Sequence, residues 1–278
     1  MNFIDSQWLK PHTLVLRLCV VGALAWVLAG CADVGRSGTQ GDGKTDVMTA
    51  SDEPEARRRA SIRLELAVSY FSEGKTTFAL DELKQALVID PSYAQAFNLR
   101  GLVYMRLSDF ALAEESFRRA MSLDPRDAGV VQNYGWLLCQ AGRFGEATDT
   151  FNRALANPQY RDRAKTYLTM GLCHAKAGQV EEAERSLARS YELDAGNPIT
   201  GFNLASLLLK RGELVRAQFY IRRINNSELA NAESLWLGIK VERRLDSALA
   251  MQQLAEQLKK RFPQAREVGL YERGAFDD

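Results

Sequence analysis

The side chains with the most specific chemistry in this 278-residue sequence are four cysteines, Cys19, Cys31, Cys139 and Cys173, and two histidines, His12 and His174. With His12 in the N-terminal segment, His174 alone cannot complete a Cys/His metal cluster, and no HExxH motif is present. There is no GxSxG elbow, no phosphate-cradling GxxxxGK[ST] loop and no dinucleotide fingerprint. Paired carboxylates such as Glu114-Glu115 and Glu181-Glu182 sit in helical patterns and read as solvated faces. The sequence therefore predicts no catalytic residue, no metal, no cofactor and no small-molecule substrate: a protein that is not an enzyme. Composition is globular, 46% apolar and 26% charged. A net charge of +1 argues against a nucleic-acid binder, which needs a clustered basic surplus. The short basic clusters at 57–59 and 258–262 read as exposed helix faces.

The cysteines separate by position. Lys10 and Arg17 precede an apolar run at 18–29, which ends in Leu28-Ala29-Gly30-Cys31. That run is short for a membrane span and has the layout of a bacterial signal peptide. Its last four residues resemble a lipobox. The resemblance implies cleavage before Cys31, acylation of its thiol and removal of His12 and Cys19 with residues 1–30. By similarity to Gram-negative lipoproteins, Ala32 rather than Asp after the cysteine implies sorting to the outer membrane. Several acyl chains anchor stably where one is marginal, at about 0.8 kcal/mol per buried methylene. Residues 31–57 turn to Gly, Ser, Thr, Asp and Lys without apolar periodicity, and are expected to form a lipidated N-terminus and flexible linker. Such a linker spans about 25 to 30 Å root-mean-square.

Everything beyond it repeats. A small residue recurs at Ala67, Gly101, Gly135, Gly171, Ala205 and Gly238, spaced 34, 34, 36, 34 and 33. An alanine twelve residues on repeats the series at Ala79, Ala113, Ala147, Ala183, Ala217 and Ala250. This period and pattern resemble the tetratricopeptide repeat (TPR), an antiparallel helix pair whose small residues let the two helices touch. The expected fold is an all-α TPR superhelix over 58–278, with six repeats near 60–93, 94–127, 128–163, 164–197, 198–230 and 231–264 and a C-terminal cap. Gly74, Gly142, Gly178 and Gly212, seven residues after the small residue, fall where the first helix must stop. The sixth repeat has Leu245 there. His174 falls at a core position of its first helix and reads as packed. Two extra residues within 157–163 predict a local irregularity of the superhelix.

These helices position the remaining chemistry. Cys139 and Cys173 lie on first helices of adjacent repeats, which pack side by side. In an oxidising compartment they form either a disulfide joining repeats three and four or two buried free thiols. The inner face is lined by first helices, and the candidate partner-binding groove there comprises Asn98, Leu102, Met105, Gln132, Trp136, Leu168, Leu172, Phe202 and Leu209. Trp136, Phe202 and Met105 are either anchors for a peptide or helix, or packing between helices. Asn133 and Asn203 match a structural asparagine of the repeat.

Several phrases that the repeat does not require are more specific: NYGWLLCQAGRF at 133–144, ANPQY at 156–160, GLCHAKAG at 171–178, SLWLGIKVERR at 234–244 and LKKRFP at 258–263. By them the chain resembles the type IV pilus biogenesis/stability lipoproteins of the PilW/PilF family, the outer-membrane pilotins of the pilus secretin. Trp136 and Leu137 vary the first phrase. The family carries cysteines in the NYG-x-x-L-C and GLC phrases, which implies pairing of Cys139 with Cys173. The resemblance further implies a scaffold, lipid-anchored through Cys31 on the periplasmic face of the outer membrane of a Gram-negative bacterium. Its partners would be secretin subunits, whose localisation and multimerisation it assists. The alternative is a TPR lipoprotein adaptor for another envelope machine, barrel assembly or peptidoglycan synthesis.

Overall fold

The computed structural model describes residues 54–276; the signal-like segment, Cys31 and most of the expected linker lie outside the described residues. Thirteen helices follow one another in this region, with no strand among the described residues. Six antiparallel pairs are α1 (Glu55–Ser72) with α2 (Thr76–Ile89), α3 (Ala94–Arg106) with α4 (Phe110–Leu123), α5 (Ala128–Gln140) with α6 (Phe144–Leu155), α7 (Arg163–Lys176) with α8 (Val180–Leu193), α9 (Pro198–Lys210) with α10 (Leu214–Asn225), and α11 (Ala232–Arg244) with α12 (Ala248–Arg261). A short α13 (Arg266–Glu272) follows. The all-α solenoid expected from the 34-residue period is the observed fold.

Helix α1 begins at Glu55, inside the stretch expected to be linker. Pro54 stands at its start in extended conformation (φ −53°, ψ 140°), and Glu55 places a carboxylate in the first turn, where the helix dipole favours it. Later starts are capped by side chains. Asp109 accepts from the Leu112 amide, Asp127 from Gly129 and Val130, and Asn197 from Ile199 and Thr200; Asn231 and Ser234 form a reciprocal capping box.

Each pair is closed by one complementary contact sixteen residues apart. A Cβ on Gly101 would lie 2.7 Å from the Phe117 ring, one on Gly135 2.8 Å from Phe151, and one on Gly171 2.7 Å from Leu187. The other pairs place Ala67 with Leu83, Ala205 with Ile221 and Ile239 with Ala255 in shared buried clusters. Each pair thus combines a large side chain with a small one, the combination that lets two helices approach closely.

The sixth pair corrects the phasing read from Gly238. Helix α11 starts 34 residues after α9, and α12 starts 34 after α10, so Ile239 rather than Gly238 stands where Ala205 stood. Ile239 and Ala255 share one buried cluster, while Gly238 still faces a large residue sixteen positions on: a Cβ there would lie 3.1 Å from Leu254 Cδ1. The turn agrees, because the left-handed residue is Asp246 (φ 54°), one beyond Leu245. Gly74, Gly142, Gly178 and Gly212 hold that conformation in four other pairs, with Ser108 (φ 61°) in the second.

Between α6 and α7 the connection has seven residues, against four in most other inter-pair connections. Tyr160 from this loop packs beside Ala128, Val131 and Ala154, and its hydroxyl bonds Thr166 at 2.9 Å. The additional length thus seats an aromatic plug between the third and fourth pairs. His174 is buried, its Nδ1 2.7 Å from Gln179 Oε1, and acts as packing. No described helix is long and apolar enough to cross a membrane.

Candidate functional site

First helices touch one another as well as their own partners. Close pairs include α1 with α3, α3 with α5, α5 with α7, and α9 with α11. They form an inner row in two series, α1 to α7 and α9 onward, in which a side chain facing the next first helix is sealed by it.

That geometry divides the expected groove residues. Gln132, Leu168 and Leu209 are only 4%, 9% and 8% exposed. They are corrected from groove lining to joints between repeats: Leu168 and Leu209 belong to one apolar cluster with Leu204, Leu208 and Ile224, where burial stabilises an aliphatic side chain by about 2 kcal/mol. Asn98 is half-buried and accepts a 3.0 Å bond from Asn133 Nδ2, linking α3 to α5. Leu172 and Phe202 are half-buried against the same cluster as Leu168.

Leu102, Met105 and Trp136 are brought together. They line one open depression with Phe110, Arg106 and Gln140, where the α3 and α5 ends meet the start of α4. The last three were missed because Phe110 is on a second helix, and because charge and amide at the end of a first helix read as solvated residues. Arg106 also reaches back to bond the Phe71 carbonyl at 2.6 Å, and Lys176 bonds the Gln140 side chain at 3.0 Å. Arg244 does the same to the Leu209 carbonyl at 3.1 Å. Basic residues near the end of one first helix thus satisfy groups at the end of the preceding one, as helix C-termini favour.

The floor beneath the depression is held firmly. Cys139, one turn beyond Trp136, is joined to Cys173 on α7, with Cα atoms 5.8 Å apart. On the outer side, Glu114 of α4 accepts from the Tyr134 hydroxyl at 2.8 Å and from Arg143 at 2.9 and 3.1 Å, tying the second pair to the third. Partial burial pushes the Glu114 carboxyl up, but the bonds from Tyr134 and Arg143 outweigh it and hold the group below the usual glutamate range. An equivalent clamp joins Glu184 to Arg211 and Arg216 two repeats later. Among the described residues no group of three His, Cys, Asp or Glu side chains could hold a metal.

The inner face thus carries an open depression in which Leu102, Met105, Phe110 and Trp136 meet Arg106 and Gln140. Tetratricopeptide-repeat family models match residues 69–108, 98–164 and 135–198. The type IV pilus assembly protein PilF of Pseudomonas aeruginosa is 30% identical over 250 residues, covering 90% of this chain and 95% of that protein. The chain belongs to the PilF/PilW family of type IV pilus biogenesis factors. The crystal structure of PilW, described as a widely conserved type IV pilus biogenesis factor, superposes with a TM-score of 0.69 at 32% identity, covering 77% of this chain and 98% of that one. The P. aeruginosa PilF structure gives 0.67 at 27%, covering 80% and 100%. PilF and PilW thus share nearly their whole length with the present chain.

Proposed function

We propose that this member of the PilF/PilW family is a pilotin. It is anchored by acylated Cys31 on the periplasmic face of the outer membrane, and it holds a segment of the pilus secretin while subunits reach that membrane and multimerise. The observation that carries the reading is the Leu102, Met105 and Trp136 depression on the inner face of a chain that belongs to a pilus biogenesis family. A lipid anchor supplies the address, residues 31–53 the reach, and the helical array the docking surface. Secretin is recognised through apolar anchors entering the depression, as a helix or extended segment enters a groove. The Cys139 to Cys173 bond, formed in an oxidising periplasm, keeps the two repeats at one side of the depression in register.

The test is the amount of secretin multimer in the outer membrane and its co-purification with the protein. Trp136→Ala removes an interfacial aromatic, whose loss weakens binding by about 30-fold where it is an anchor. Cys31→Ala removes the anchor. The proposal predicts that the first abolishes co-purification and the second leaves co-purification intact while multimers fall in the outer membrane. Unchanged multimers in both strains would refute it. Co-purification of barrel-assembly or peptidoglycan enzymes in place of secretin would assign the adaptor role instead.

A further inference from the structure

Four residues before Ala67, Gly101, Gly135, Gly171, Ala205 and Ile239, the first helices carry Arg63, Phe97, Val131, Tyr167, Gly201 and Leu235. Of these six helices only α9 has no side chain there. In the third pair, Val131 shares a cluster with Ala128 and Ala154, and Tyr160 from the following loop packs on it. The fifth pair holds Pro198, Gly201 and Ile224 at the same three positions, with Ala230 where Tyr160 stood. Pro198, Gly201 and Ile224 line an open cavity of about 160 Å³ where α8 meets α9 and α10. The hollow that the third pair fills with its own aromatic ring is therefore accessible in the fifth.

Two tyrosines wall this cavity. Tyr191 of α8 and Tyr220 of α10 meet edge to face, with ring centroids 4.9 Å apart. The Tyr191 hydroxyl is enclosed and has no hydrogen-bond partner among the described residues. Arg223, the one charged side chain of the lining, has its guanidinium 6.0 Å from the Tyr191 centroid and makes no ion pair among the described residues. Leu229 also lines the cavity and is 54% exposed, and Phe219, 61% exposed, sets its ring against Tyr220 at 5.1 Å. An apolar cavity of about 150 Å³ takes up one benzene ring, whereas pockets for whole small ligands begin at about 300 Å³. The size is that of a single aromatic side chain.

We propose that this cavity is a socket for an aromatic side chain of a partner polypeptide in which an acidic residue stands next to the aromatic one. The ring takes the place that Tyr160 fills in the third pair, against Tyr191 and Tyr220. The neighbouring carboxylate pairs with Arg223, which has no anionic partner of its own. Exposed Leu229 and Phe219 extend the contact beyond the ring, an extension that a free aromatic acid does not use. The socket shares no residue with the Leu102, Met105 and Trp136 depression, and it stands whether or not that depression holds secretin.

The probe is a fluorescein-labelled Ala-Phe-Asp-Leu-Ala peptide, titrated with the full chain and followed by anisotropy. Saturable binding is expected, falling about 30-fold when alanine replaces the peptide's phenylalanine. Arg223→Glu, a change at an exposed position, should weaken it about tenfold. Gly201→Leu gives α9 the side chain that α11 carries there and should abolish binding with helix content unchanged. A Cβ at Gly201 would lie 3.2 Å from Ile224 Cδ1, so Gly201→Ala is the milder variant, expected to fold and to weaken the peptide severalfold. 4-Fluorophenylacetate, a free aromatic acid, should compete at least tenfold less well than unlabelled peptide. Absence of saturable binding, indifference to the phenylalanine, or equal affinity in folded Gly201 variants and parent would overturn the proposal. A free acid that matches the peptide would also overturn it, and would assign the cavity to a small aromatic ligand.

Discussion

Gly135→Ala tests the packing rule that unites the repeats. The added methyl would lie 2.8 Å from two carbons of the Phe151 ring, and both residues are fully enclosed. Overpacking at such a site costs about 1–3 kcal/mol, while the exchange of glycine for alanine inside a helix returns about 1. A net loss of up to about 2 kcal/mol follows. Phe151→Leu alone leaves a void beside Gly135, at roughly 1–2 kcal/mol. Together the two substitutions copy the Ala67 and Leu83 combination of the first repeat, both fully buried in one cluster. The double variant should therefore lie within about 1 kcal/mol of the parent. That is a favourable coupling of about 1–3 kcal/mol between the positions, within the range contacting residues show. The assay is urea unfolding followed by helical circular dichroism for the four proteins, all with Cys139 and Cys173 in the same oxidation state. Additive losses would refute the idea that small and large residues are matched across each helix pair.

Three further outcomes follow from other joints. Cys139→Ser with Cys173→Ser opens a loop of 34 residues by sequence separation, and should cost about 3–4 kcal/mol in urea unfolding; the parent should show no free thiol in these two positions when unfolded without reductant. Glu114 has a folded pKa below its unfolded value of about 4.3, so its contribution is present above that value and lost as pH falls through the folded pKa. The stability gap between the parent and Glu114→Gln, about 1 kcal/mol at neutral pH, should close on titration to pH 3; a gap that widens there would reverse the assignment. Ser108→Gly removes a side chain from left-handed backbone (φ 61°) and should stabilise by about 0.5–1 kcal/mol, read as a higher thermal midpoint, whereas Ser108→Val should lower it.

The helix pairing was legible because a TPR crossing admits few solutions. Glycine at 101 and 135 and alanine at 67 and 205 announce the period by themselves. In the sixth pair the helix starts move the frame one residue on, to Ile239 and Ala255, although Gly238 still faces Leu254 sixteen residues later, so a search for small first-helix residues alone does not fix the frame. The groove was partly legible. Leu102, Met105 and Trp136 converge, while Gln132, Leu168 and Leu209 do not, although all six stand on first helices. What separates them is the approach of the next first helix, a distance set by loops and side chains outside any one repeat. Arg106, Phe110 and Gln140 join the depression only because two helix ends and a turn meet there, which no period encodes.

The inner row falls into two series. First helices α1, α3, α5 and α7 pack in an unbroken series, and α9, α11 and α13 in another; α7 and α9 are not among the closely packed neighbours. In the first series the anchors are aliphatic and aromatic, and the brace is covalent at Cys139 and ionic at Glu114. In the second the Trp236 ring is stacked on Phe276. A partner using the Leu102, Met105 and Trp136 depression meets a preformed surface, so little freedom is lost in the protein on binding.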